Sequence, residues 1–115
     1  MKIGLCMEFD AAHHLPSYQG KCSRVHGHTY KVEVVIDGPV GDDGFVMDFY
    51  QLKKRVIWAL EDMDHNNLNQ IMPNPTAEKI AERICKRLKN DLEGTLTSLV
   101  SVKLWEGKNK WVMME

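Results

Sequence analysis

Two long stretches of period-two alternation constrain the fold of this chain more than any other feature of its sequence. From Ile3 to His13 the odd-numbered residues are mostly apolar, whereas the even-numbered ones are small or charged. The same alternation returns from His26 to Ile36, after a loop that contains Pro16. Successive side chains of a strand point to opposite faces, so this pattern is typical of half-buried β-strands. We therefore predict two long strands in the first third of the chain.

Two helices are predicted in the middle of the chain. Asp48 is a suitable N-cap, and apolar residues then recur at helical spacing from Phe49 to Met63. Residues 64–74 are polar and lack any such period, which predicts a loop. Thr76 can cap a second amphipathic helix, and Gly94 closes that region.

The order of predicted elements indicates the fold class. Two further alternating stretches, residues 99–106 and 111–114, follow the second helix. The order is therefore strand, strand, helix, helix, strand, strand. Two hairpins that flank a helical pair predict an α+β fold, in which an antiparallel sheet carries both helices on one face. No linker, repeat or low-complexity segment divides residues 1–115, so we expect a single domain.

Composition excludes several classes of partner. Fifteen basic and sixteen acidic residues give a net charge of −1, which offers no electrostatic surface for nucleic acid or anionic membranes. The longest apolar run spans only residues 56–60, far short of the ~20 residues that cross a bilayer. The N-terminal segment has no signal-peptide core, and three cysteines at unrelated spacings do not form a disulfide framework. We expect a soluble, cytoplasmic protein.

Four of the five histidines lie in the first quarter of the chain. His26 and His28 are two residues apart on a predicted strand, so both imidazoles project from one face. His13 ends the first strand and can lie opposite them if the two strands pair. Three imidazoles without a fourth protein ligand are typical of a catalytic zinc site, although a His-x-His spacing can also be incidental. His14 follows His13 directly, so its side chain points to the opposite face of the strand, and we place it away from the metal.

Three other groups could carry chemistry. Cys22 has basic neighbours that favour a reactive thiolate, but it could also be a bystander thiol. Asp64 and His65 could form an acid–base pair or a solvated loop. Glu106 lies on the same face of its predicted strand as the buried positions. It therefore either lies at a frayed strand end or binds a cationic or amide-like group.

A set of motifs that spans nearly the whole chain carries a family resemblance. The motifs are FDAAHHL at 9–15, CSRVHGH at 22–28, GFVMDF at 44–49, DH at 64–65, LN at 68–69, NPT at 74–76 and VKLWE at 102–106. In this order they resemble the 6-pyruvoyl-tetrahydropterin synthase family. The compact length is most similar to the branch that makes 6-carboxy-tetrahydropterin in the queuosine (7-deazaguanine) pathway.

The resemblance implies an architecture and a metal. It implies the tunnelling fold, in which subunits join their sheets into a barrel, as homohexamers with active sites between subunits. It also implies that His13, His26 and His28 hold Zn²⁺. The presence of Cys22 argues against a variant branch of the family that carries glutamate there and behaves like an aldolase.

Roles for the remaining candidates follow from the same resemblance. Cys22 would be the general base, with Asp64 and His65 of a neighbouring chain as its acid–base partners. Glu106 would anchor the pterin ring, and the Thr76 region would supply backbone contacts to it.

The implied substrate is 7,8-dihydroneopterin triphosphate, and the implied product is 6-carboxy-5,6,7,8-tetrahydropterin, with release of acetaldehyde and triphosphate. Two alternatives stay open: a 6-pyruvoyl-tetrahydropterin synthase acting on the same substrate, and a non-catalytic pterin- or metal-binding protein. The chain departs from the family pattern at His14, where arginine is common, and at Gly107, where threonine is frequent.

Overall fold

Two long strands form the centre of the fold, as the alternation predicts. In the computed structural model, which describes residues Met1–Glu115, β1 (Lys2–His13) pairs with β2 (His26–Asp37). The pairing is antiparallel and runs without interruption from one end to the other, so that His13 lies opposite His26. The hairpin thereby brings the histidine-rich ends of both strands together.

Three shorter strands complete a five-stranded sheet. They are β3 (Asn66–Asn67), β4 (Ser98–Glu106) and β5 (Trp111–Met114), and the strand order is β3-β1-β2-β4-β5. Neighbouring strands are antiparallel, as predicted, except that β3 is parallel to β1. The prediction of a loop over residues 64–74 was wrong here, because β3 and a single-turn 3-10 helix (Leu68–Gln70) lie within it. Two residues are too few to show a period of two.

Both predicted helices are present with their predicted caps. Helix α1 (Phe49–Leu60) begins after Asp48, whose side chain accepts a hydrogen bond from the Tyr50 amide at 2.8 Å. Helix α2 (Ala77–Leu92) begins after Thr76, whose hydroxyl accepts from the Lys79 amide at 3.2 Å. Side-chain oxygens at these positions satisfy amides that have no partner within the helix. No helix is long and apolar enough to cross a membrane.

The core lies between the helices and one face of the sheet. The side chains that β2 directs to this covered face are fully buried from Tyr30 to Ile36, and the helices contribute their apolar stripes. The opposite, open face carries polar residues such as Glu8, Asp10 and Thr29, which alternate with the buried ones along the same strands. This α+β arrangement agrees with the predicted fold class.

Candidate metal centre and active site

Three histidines converge on the covered face at the end of the β1–β2 hairpin. The strand register places His13 opposite His26, and His28 follows two residues later on the same face. One ring nitrogen from each lies within 4.8 Å of the others. His13 is 1% exposed, and the other two are partly buried at the rim. The structure therefore assembles the three residues that the parity of the strands predicted.

Backbone carbonyl groups fix the orientation of two of these rings. His13 Nδ1 lies 2.7 Å from the carbonyl oxygen of Pro75, and His26 Nδ1 lies 2.7 Å from that of Arg24. A carbonyl oxygen only accepts hydrogen bonds, so each Nδ1 of a neutral ring carries the proton and each Nε2 presents a lone pair. Such contacts to the second nitrogen are typical of metal-ligating histidines.

The two Nε2 atoms of His13 and His26 face each other at 3.0 Å. With both protons on Nδ1, no proton remains to form a hydrogen bond between them, and the two lone pairs repel. A cation between the rings removes this conflict. Two nitrogens bound to one tetrahedral zinc ion are about 3.3 Å apart, close to the separation observed. The arrangement fits a metal ion better than it fits a metal-free cluster.

His28 supplies the third nitrogen. Its Nε2 is buried and has no hydrogen-bond partner. Burial lowers the pKa of His28, although the nearby Glu106 carboxylate opposes this shift. A neutral imidazole with a free lone pair is the form that binds metals. Three such ligands leave a coordination position open, as catalytic zinc sites do.

The structure places Glu106 and Thr76 beside the histidines. Glu106 pairs with Tyr30 in the sheet, which directs its side chain to the covered face. Its Oε1 lies 3.7 Å from His28 Nε2. Thr76 caps α2, and the preceding residue, Pro75, is the one whose carbonyl orients His13. The Glu106 carboxylate and the first residues of α2 thus lie next to the histidine cluster.

Cys22 lies in the loop that joins the two central strands. It belongs to a single-turn 3-10 helix, Lys21–Ser23, and its carbonyl accepts from the Leu15 amide at 2.7 Å. Its thiol is free and partly buried. This hydrogen bond fixes the backbone of Cys22 within the loop between His13 and His26.

Asp64 and His65 form a dyad that is anchored to β1. The Asp64 carboxylate accepts from His65 Nδ1 at 2.8 Å and from the Asp10 amide at 3.1 Å, and the His65 amide donates to the Asp10 carbonyl at 2.6 Å. His65 is the only non-glycine residue with positive φ, at 59°. Such a conformation costs about 1 kcal/mol, and the three contacts hold it in place. Because Nδ1–H of His65 donates its hydrogen bond to Asp64, the ring presents Nε2 to solvent.

The cavity that His65 lines also reaches one of the three clustered histidines. Its lining includes Asp10, Gly27 and Thr29 together with His28. Asp10 pairs with Thr29 on the open face, whereas the three clustered histidines lie on the covered face. In one chain, Glu106 and the Thr76 region thus lie beside the clustered histidines, and His65 lies outside the group of ring nitrogens that converge within 4.8 Å.

Several contributors were not identified from the sequence. The carbonyls of Pro75 and Arg24 orient the rings, and Asp10 anchors the dyad. Asn69 clamps the backbone of His14, because its side chain accepts from the His14 amide at 2.8 Å and donates to the His14 carbonyl at 3.0 Å. Asp10 and Asn69 both lie in the family motifs quoted above, and this was the only feature of the sequence that could have indicated their roles. As predicted, His14 does not belong to the histidine cluster.

The metal-free protein is expected to lose stability as the pH falls below about 6.5. An unfolded histidine titrates near this value, whereas burial lowers the pKa of His28 in the folded state. Between the two pKa values the unfolded chain binds more protons, so the free energy of unfolding rises with pH and levels off above 6.5. The measurement is the unfolding temperature of metal-free protein from pH 5 to 8. The variant His28→Gln should show a shallower slope, and an equal slope would contradict this origin.

Comparison with known proteins shows which family has a similar sequence and fold. Residues 2–115 match the family model described as 6-pyruvoyl tetrahydropterin synthase. A dihydroneopterin monophosphate aldolase of Pyrococcus furiosus is 43% identical over 107 residues, which cover 93% of this chain and 90% of that protein. The 6-carboxy-5,6,7,8-tetrahydropterin synthase of Haemophilus influenzae is 37% identical over 134 aligned positions, which cover 91% and 92%. The 6-pyruvoyl tetrahydropterin synthase structure of Caenorhabditis elegans superposes with a TM-score of 0.87 at 25% identity, covering 100% of this chain and 94% of that one.

Proposed function

Because the chain belongs to the 6-pyruvoyl tetrahydropterin synthase family, and is thus an enzyme of pterin chemistry, we propose a specific reaction for it. With water, it converts 7,8-dihydroneopterin triphosphate to 6-carboxy-5,6,7,8-tetrahydropterin, acetaldehyde and triphosphate. The reaction takes place in the cytoplasm and serves queuosine (7-deazaguanine) biosynthesis. The observation that carries the zinc-dependent part is the pair of Nε2 lone pairs of His13 and His26, which face each other at 3.0 Å.

The metal ligands are Nε2 atoms of His13, His26 and His28. Bound there, Zn²⁺ would polarise the side-chain hydroxyls of the substrate and lower the cost of removing their protons. The protein's own contribution is to hold the rings in place. The carbonyls of Pro75 and Arg24 orient the first two rings, and burial favours the neutral form of the third.

The pterin ring is held by Glu106 and the start of α2. The carboxylate of Glu106 accepts hydrogen bonds from the 2-amino group and N3–H of the ring, a paired geometry that a carboxylate favours. Backbone groups around Thr76 contact the same ring. These residues support this role because both lie beside the metal ligands on the covered face.

Proton transfer is assigned to Cys22, Asp64 and His65. The Cys22 thiolate removes a proton from the substrate side chain, and His65 relays protons through Nε2 while Asp64 holds its tautomer. Since His65 lies outside the group of ring nitrogens that converge in its own chain, and the family resemblance implies sites between subunits, we assign the dyad to the site of a neighbouring copy. The active unit is then a homo-oligomer, a hexamer by family resemblance, with sites between subunits.

Two inactive variants should restore activity when they share one oligomer. Cys22→Ala and His65→Ala each disable every site in their own oligomer. In a mixed oligomer, some sites combine the intact Cys22 of one chain with the intact His65 of its neighbour. The measurement is turnover after co-expression or dissociation and reassembly, with separately purified variants as the control. No recovery in verified mixed oligomers would place both groups in one chain's site.

Product analysis tests the reaction itself. Zinc-loaded protein is incubated with dihydroneopterin triphosphate, and products are identified by mass spectrometry. We expect a 6-carboxy-pterin together with acetaldehyde. A product that keeps a three-carbon pyruvoyl side chain would assign the pyruvoyl synthase reaction to the same site. Unchanged substrate, with zinc and the oligomer verified, would favour a non-catalytic pterin-binding protein.

A second candidate function rests on a specific observation, namely the 43% identity to the Pyrococcus furiosus protein named as a dihydroneopterin monophosphate aldolase. The same assay with dihydroneopterin monophosphate separates the two candidates. Faster turnover of the triphosphate supports the carboxy-synthase reaction. Turnover of the monophosphate alone would assign the aldolase activity.

A further inference from the structure

One carboxylate shares the covered face with the three histidines. The side chain of Glu106 is 22% exposed, as is that of His28, and its Oε1 lies 3.7 Å from His28 Nε2. This distance is too long for a hydrogen bond, and His28 Nε2 has no other partner. His28 is also the only group with which Glu106 makes an ion-pair contact. No lysine or arginine nitrogen lies within ion-pair distance of this partly buried carboxylate.

The backbone keeps Glu106 in this position. Its amide donates to the Lys110 carbonyl at 2.9 Å, and the amide of Gly107 donates to the Thr29 carbonyl at 3.2 Å. The strand register pairs Glu106 with Tyr30, whose side chain is fully buried on the same face. The carboxylate therefore sits at the rim of the histidine cluster because the sheet places it there.

The separation of the two atoms suits a shared metal ion. A zinc ion binds imidazole nitrogen at about 2.0–2.1 Å and carboxylate oxygen at about 2.0–2.2 Å, so two such donors are about 3.4 Å apart in a tetrahedral site. The observed 3.7 Å between Glu106 Oε1 and His28 Nε2 is close to this value. The carboxylate lies outside the group of three ring nitrogens that converge within 4.8 Å, so its side chain turns toward them when it binds the metal. Two other acidic residues near this end of the sheet, Glu8 and Asp10, belong to the open face.

We propose that Glu106 is the fourth metal ligand in the substrate-free enzyme and that it leaves the metal when a pterin ring binds. The release step rests on the proposed function, in which this carboxylate accepts hydrogen bonds from the ring. Its two oxygens cannot accept both of those hydrogen bonds and also bind the metal well. Ring recognition therefore opens the coordination position that the substrate hydroxyls need, and the position stays closed to other anions until then.

Cobalt substitution tests the ligand assignment without any turnover. The full chain is loaded with Co²⁺, and the visible absorption bands, which report coordination, are recorded for wild type, Glu106→Gln and Glu8→Gln. We expect shifted bands and metal affinity that is weaker by about 10- to 100-fold in Glu106→Gln, comparable to the loss of a supporting residue at other metal sites. Glu8→Gln also removes one carboxylate, but from the open face, and should match wild type.

Two additions complete the experiment. Azide should bind the cobalt form of Glu106→Gln at lower concentration than the wild type, because the position is vacant. Saturating pterin should shift the wild-type bands. Superimposable spectra of Glu106→Gln and wild type would overturn the proposal, whatever the catalytic assay shows. Distinct spectra with no response of the wild type to bound pterin would overturn the release step.

Discussion

Replacing Cys22 with alanine is expected to lower kcat by about 10²- to 10⁴-fold, the usual contribution of a general base, while zinc and pterin stay bound. In the proposed mechanism the thiolate removes a proton from the substrate but contacts neither the metal nor the pterin ring. The measurements are turnover at saturating substrate, zinc content of the purified protein and pterin affinity by calorimetry.

The matched control for this variant is Cys6→Ala. Cys6 lies on the open face, where its thiol contacts Glu33 at 3.6 Å. Partial burial and the charge of Glu33 raise the pKa of Cys6, so its reactive thiolate form is scarce. This variant should keep full activity. Full activity of Cys22→Ala would refute the base assignment, and loss of zinc together with activity would indicate a structural role instead.

Replacing His26 with alanine is expected to remove the metal and, with it, all measurable turnover. His26 lies at the rim of the cluster, so the substitution leaves no large cavity in the core. Loss of a direct ligand should weaken zinc binding by at least about 100-fold, the upper end of the effect of losing a supporting residue. The measurement is zinc affinity by chelator competition, and His14→Ala is the control that should retain zinc.

The same variant carries a test of the lone-pair geometry. In metal-free wild type with both rings neutral, the two Nε2 atoms of His13 and His26 would face each other at 3.0 Å without a proton between them. Removing one ring relieves this repulsion, so metal-free His26→Ala should unfold at the same temperature as metal-free wild type or higher. A clearly lower unfolding temperature would show that the ring stabilises the metal-free fold.

Strand and helix positions could be predicted because each element has a period that burial imposes. Asp48 and Thr76 have short oxygen-bearing side chains directly before apolar helical patterns, and both are caps in the structure. β3 was not predicted, because Asn66–Asn67 forms a strand only through its pairing with β1. Two residues are too few to show the alternation of buried and exposed side chains.

The histidine cluster was predictable for a similar reason. Parity along two strands decides which residues share a face, and this argument selected His13, His26 and His28 and excluded His14. The conformation of His65 was not predictable, because its positive φ depends on contacts with Asp10, which lies more than fifty residues away in the chain.

The sequence by itself therefore determined which side chains share a face, since alternation and helical spacing are local properties of the backbone. Tertiary structure alone decided what those side chains meet. It brought the Pro75 carbonyl to His13, placed Glu106 at 3.7 Å from His28, and anchored His65 to the backbone of Asp10. Each of these contacts joins segments that are distant in the chain, and only the register of the strands and the packing of the loops set their distances.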